Sequence, residues 1–184
     1  MPDPVGFFSM QLTHDKKGFV SALLVTSDMG IPQEFRVTFP VRPTFLQVQL
    51  YGKSLVPHVG VELCGKPLFK AVSNKPSVMV VNDRLFLPLG DSLSCPVVFI
   101  RRLGDTLRVN SGTEESIPKL SKLRSSHGRF QPLAVDYPQG YDQARREQVN
   151  TSLGRIFEGL DLVEPFSRIK VALDALAEQD KRFQ

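Results

Sequence analysis

Three histidines, two cysteines and a scatter of basic residues are the side chains of this chain whose types invite a chemical reading. Cys64 and Cys95 stand far apart, with no second Cys or His at the spacing a zinc site needs. Both sit among apolar neighbours and read as buried, reduced thiols. His14 falls in a polar turn and His127 in a polar, basic stretch, whereas His58, next to Pro57, is the histidine best placed for a site. None of the three belongs to a Ser, Cys or metal motif, so the spacings imply no catalytic triad and no metal. Gly60 and Gly65 lack the Lys-Ser or Lys-Thr that completes a phosphate loop, and Gly65-Lys66-Pro67 reads as a helix stop.

The basic residues carry the remaining signal. Arg101 and Arg102 end an apolar run, and Lys119, Lys122, Arg124 and Arg129 follow with little acidic compensation after Glu115. A flexible arm of this kind contacts phosphates through a salt-sensitive electrostatic term. The alternative is a solvated charge run with no ligand. A net charge of +4 admits an anionic partner without demanding one.

The elements that must position these residues fit one core plus an appendage: 184 residues, 41% hydrophobic and 23% charged, form an ordinary globular composition. No apolar run reaches the ~18 residues of a membrane span. The start Met1-Pro2-Asp3-Pro4 lacks the basic-then-apolar order of a secretion signal, so the cytoplasm is the expected location. Residues 5 to 12 alternate as a strand, 13 to 18 form a polar connection ending in Gly18, and Phe19 to Val25 is a nearly continuous apolar run. After the Asp28-Met29-Gly30 turn, Phe35, Val37 and Phe39 alternate with Arg36 and Thr38, which completes a three-stranded antiparallel meander.

Residues 44 to 56 fit either helix or strand; helix is the expectation, because the chain must cross over to start another strand. Interior Pro costs ~3 kcal/mol and Gly ~1, so short pieces near 44 to 55, 57 to 64 and 67 to 73 are expected rather than one helix. Val78 to Val81 and Pro96 to Ile100 read as two further strands, with another at Thr106 to Val109. The chain then divides into a mixed α/β (α+β) core over 1 to 110, a flexible basic linker over 111 to 140 and a C-terminal helical hairpin over 141 to 184. The hairpin bends over 159 to 163 and carries the apolar stripes Val149, Leu153, Ile156, Leu160 and Phe166, Ile169, Leu173, Leu176. Such stripes bury against the sheet or against a partner; in the second case Leu153, Ile156, Leu160, Ile169, Leu173 and Leu176 form the interface.

Three antiparallel strands, a helical crossover and two more strands resemble the ribonuclease H-like fold. Within it, Phe35-Arg36-Val37-Thr38-Phe39-Pro40 followed by Lys75-Pro76-Ser77-Val78-Met79-Val80-Val81-Asn82-Asp83 resembles endonuclease V, over residues 5 to 103. The chain also resembles uncharacterised bacterial proteins, which implies no function. The ribonuclease H-like resemblance implies divalent metal held by carboxylates on the first strand, on or near the crossover and at the end of the fourth strand. Asp83 matches the strand end and Glu62 the crossover, but Gly6 to Leu12 contains no acid, and Asp15 and Asp28 fall in turns. The reading is therefore a non-catalytic interaction or adaptor domain without a cofactor, with a protein partner or second copy expected, nucleic acid a candidate partner, and no membrane. One alternative is a metal-dependent nuclease using Asp83, Glu62 and Asp28 with Mg or Mn. Another is a small-molecule binding domain, which requires a deep apolar pocket.

Overall fold

The computed structural model describes residues 3–103, 121–126 and 128–183. The expected strand at Thr106 to Val109 and the candidates Lys119 and His127 lie outside them. Strand β1 (Val5–Leu12) pairs antiparallel with β2 (Phe19–Thr26), which pairs antiparallel with β3 (Pro32–Val37). The crossover follows as α1 (Phe45–Tyr51), a 3-10 turn (Gly52–Ser54), α2 (Leu55–His58), a π-helical turn (Val59–Gly65) and α3 (Lys66–Ala71). It delivers β4 (Val78–Val81) parallel to β1, and β5 (Val97–Arg102) parallel to β4. Helix at 44 to 56 matches the expectation, but the breaks do not: the chain turns at Gly52 and then stays helical from 55 to 71 through Pro57 and Pro67, a π-helical turn taking up the irregularity between them.

Two strands were not anticipated. Strand β7 (Leu133–Asp136) pairs antiparallel with β5, and β6 (Ser121–Leu123) pairs antiparallel with β7, giving a seven-stranded sheet of order β3-β2-β1-β4-β5-β7-β6. Leu123, Leu133, Ala134 and Val135 are buried, which corrects the reading of this stretch as a free linker. Strands β1 to β5 follow in the order expected from the sequence.

Period-2 alternation divides the strands between two cores. Val5, Phe7, Val20, Ala22, Leu24, Val78, Val80, Val98 and Ile100 face the C-terminal helices α4 (Gln143–Gly159) and α5 (Glu164–Gln179). Phe8, Leu23, Val25, Met79, Val81, Val97 and Phe99 face the crossover and the 3-10 segment Arg84–Asp91. On the first face Leu153, Ile156, Leu160, Ile169 and Leu173 are all buried, and Leu176 packs against them. The stripes offered as a partner interface thus close the chain's own core. Phe7 meets Phe166 edge to face at 5.7 Å, fastening α5 to β1.

On the second face, two glycines set how closely the 3-10 segment approaches the crossover. A Cβ on Gly60 would stand 2.2 Å from the Phe86 ring, and one on Gly65 would stand 2.7 Å from Leu89 and 2.8 Å from the Gly60 carbonyl oxygen. These glycines serve close packing, not phosphate binding.

Candidate functional site at the strand ends

The register places the end of β1, the start of β2 and the ends of β4 and β5 along one edge of the molecule. Val5 lies level with Thr26 and Val78, and Phe8 with Val81, so β1 and β4 run side by side towards the 13 to 18 turn. Asn82 and Asp83 therefore stand next to Ser9 and Met10. The Asn82 side-chain amide donates to the Ser9 hydroxyl at 3.1 Å, a neutral pair at the place where the family resemblance asks for carboxylates. Asp83 is exposed, and its carboxylate accepts from the Leu85 N–H at 2.9 Å, capping the 3-10 segment.

The other acids of the alternative nuclease set are placed differently. Asp28 follows Thr26 at the opposite end of the sheet, some seven strand residues from Asp83, or roughly 20 Å at ~3.3 Å per residue. It cannot share a metal with Asp83, whose ligand distances would be near ~2 Å. Glu62 lies on the exposed side of the π-helical turn, and the Lys66 ammonium donates to both of its oxygens at 2.7 Å. Among the described residues no three of His, Cys, Asp and Glu gather closely enough to hold a metal ion. The donor set present does not fit the divalent metal that the family resemblance implies.

What the edge does assemble is positive charge. The 13 to 18 turn contributes Lys16 and Lys17, the chain after β3 contributes Arg42, and β4 is followed by Arg84. Strand β5 ends in Arg101 and Arg102, level with Ala134 and Leu133. Because Leu123 also lies level with Leu133, the β6–β7 connection carrying Arg124 and Arg129 emerges at the same end. Lys122 and Arg124 are exposed, and the Arg129 guanidinium lies over the Phe130 ring at 5.1 Å.

Part of this charge is anchored. Arg42 binds Asp15 at 2.7 Å, Arg84 binds Asp136 at 2.8 Å and Arg102 binds Asp161 at 2.8 Å. The Thr13 hydroxyl, the Lys17 N–H and Arg42 hold the Asp15 carboxyl down at about 2. Asp15 thereby fixes the turn that carries the two lysines.

Beside this edge, on the crossover face, runs a groove of about 330 Å³ whose walls include Arg42, Gln47, Tyr51, His58 and Leu63. The rings of Tyr51 and His58 lie 4.9 Å apart, tilted by 35°. The histidine singled out from the sequence therefore lines a cavity. The groove shares Arg42 with the basic edge. His14 instead lies 3.7 Å from Asp174 on α5.

Cys64 and Cys95 are buried and free. Burial raises both thiols, Cys95 to about 11, so neither supplies a thiolate nucleophile near neutral pH. No helix among the described residues is long and apolar enough to cross a membrane.

The gathering of arginines was missed because it arises from strand order. Arg42, Arg84, Arg101 and Arg124 lie far apart in the chain, and only the parallel pairing of β1, β4 and β5 brings their segments to one end. The signal available in the sequence was a basic residue following each of several apolar runs.

No family model matches the chain, and no curated protein does. Solved structures do resemble it. Human endonuclease V matches at 16% identity over 95% of this chain and 86% of its own, with a TM-score of 0.46. Endonuclease V of Ciona intestinalis, in complex with a DNA containing an inosine followed by a ribo-adenosine, matches at 15% identity over 93% and 87%, with a TM-score of 0.45. The Bacillus subtilis endonuclease V matches at 12% identity over 80% and 70%, with a TM-score of 0.43. The proteins at the other end of these comparisons are endonucleases by name. The expectation of a non-catalytic interaction or adaptor domain is corrected accordingly, since the nuclease alternative matches them better.

Proposed function

We propose that this chain acts on nucleic acid, laying a strand along the edge where β1, β4 and β5 end. The observation that carries this reading is the convergence of Lys16, Lys17, Arg42, Arg84, Arg101, Arg102, Arg124 and Arg129 from separate segments onto that edge. Cations there track the phosphates and release counterions. The neighbouring groove, with Tyr51 and His58, offers a face on which a base stacks, an interaction worth ~1–3 kcal/mol.

The test is fluorescence anisotropy with labelled single-stranded and duplex DNA and RNA over a salt series. Binding should weaken steeply as salt rises. The double variant Arg124→Glu/Arg129→Glu should flatten the slope of log K against log salt by about 2, near one for each phosphate no longer neutralised. Tyr51→Ala should weaken single-strand binding by roughly tenfold with the slope unchanged. Absence of binding at low salt, or binding indifferent to both variants, would sink the proposal.

A second reading, nuclease activity, is favoured by one placement: Asp83 stands exposed at the end of β4. Its test is incubation of the same oligonucleotides with magnesium or manganese. Cleavage that disappears in Asp83→Asn supports hydrolysis at this edge, and cleavage that survives the substitution assigns the activity elsewhere.

A further inference from the structure

Helix α1 departs from the rule that a short helix persists by packing. An isolated helix below ~12 residues is marginal in water, yet none of the seven residues Phe45–Tyr51 is buried. Phe45 is 81% exposed, Leu50 75% and Leu46 64%. The helix is held locally by its ends. Thr44 and Gln47 form a reciprocal capping box, and the chain leaves through Gly52 at φ 50°. At ~100° per residue, Gln47 and Tyr51 share the side that lines the groove, while Phe45, Leu46, Gln49 and Leu50 point to the other.

We propose that this outer face of α1 is a two-fold interface on which a second copy of the chain docks, α1 against α1. The area fits. The exposed parts of Phe45, Leu46, Val48 and Leu50 amount to roughly 500 Å² in each copy, taking ~200 Å² for a whole large apolar side chain. Two copies together bury up to about 1,000 Å², the size at which a specific interface begins. A patch of that size is also in the upper part of the range that monomers leave bare.

The chemistry fits as well. Phe45–Tyr51 contains no charged residue, so pairing the face with its own image sets no like charges together. Leu46 and Leu50, one turn apart, interdigitate with their symmetry mates. A phosphate backbone or an anionic lipid surface is recognised by Lys and Arg, which α1 lacks. The groove side of α1 stays open in the dimer, so this inference is independent of the nucleic-acid reading.

Sedimentation equilibrium of the full chain over a concentration series tests it, with Leu46→Glu/Leu50→Glu as the variant. The wild type should pass from monomer to dimer below a concentration on the order of 100 μM. The variant should stay monomeric, its dissociation constant raised at least ~100-fold by the buried carboxylates. Its circular dichroism and Tm should be unchanged, because neither leucine is buried in the monomer. Gln49→Cys should in addition cross-link the dimer under mild oxidation. A wild type that remains monomeric, a dimer that survives the double substitution, or α1-dependent sedimentation of a monomer with anionic vesicles would each overturn the proposal.

Discussion

The two faces of the sheet are covered by the same chain in opposite ways. The β1-β4 face that meets the tail is closed by α4 and α5, 17 and 16 residues long, whose apolar stripes are buried along their length. The opposite face is covered by the crossover, whose helical run over 55 to 71 packs on the sheet while α1, set off by the turn at Gly52, stands clear with a groove open beside it. The tail helices bury their apolar stripes, whereas the crossover, next to the basic strand ends, leaves large apolar side chains exposed on α1.

Removing the tail should break this comparison most severely. Deletion of residues 141 to 184 uncovers the face formed by Phe7, Leu24, Val80 and Ile100, and the remainder should be insoluble or unfolded, read by circular dichroism and solubility; a soluble, folded remainder would show that the tail is an accessory. Phe157→Ala, at a side chain with no exposure, should cost ~3–5 kcal/mol in chemical denaturation. On the crossover face, Gly60→Ala should cost less, ~1–3 kcal/mol, because the Phe86 ring must leave its edge-on contact with Phe8 at 5.2 Å to admit the methyl group. Leu50→Gln on α1 should change monomer stability by no more than ~0.5 kcal/mol.

The smallest effect concerns the turn that anchors the basic edge. The Asp15 carboxyl sits at about 2 against an ordinary 3.8, so its folded value is depressed. Its contribution is present above the ordinary value and is lost as pH falls through the folded one. Amide exchange at Lys17, whose N–H donates to Asp15 at 3.0 Å, should therefore accelerate between about pH 4 and pH 2, over and above the intrinsic pH trend. In Asp15→Asn that step should vanish.

Much of this architecture was legible in the residues. The meander, the parallel pair β4 and β5 and the tail hairpin announce themselves through local periodicity, and the bend over 159 to 163 lies between α4, ending at Gly159, and α5, starting at Glu164. Strands β6 and β7 do not, since Ser121–Leu123 and Leu133–Asp136 are too short to display a period and gain their order from pairing with β5. The site was less legible still. The acid-free first strand was visible, but its consequence, a Ser9–Asn82 pair, depends on the β1–β4 register. Likewise the distance between Asp28 and Asp83 follows from which way β2 runs, and His58 joins Tyr51 only because the crossover folds back on itself.

The central claim is that function resides at the strand ends and not on the tail face. Backbone amide chemical shifts recorded with and without a short single-stranded oligonucleotide test it most directly. Perturbations are expected at residues 14 to 18, 42, 84, 101 to 102 and 124 to 130, together with Tyr51 and His58, and none along the outer surfaces of α4 and α5 or at residues 28 to 31. Perturbations confined to the helices or to the 28 to 31 end would contradict it.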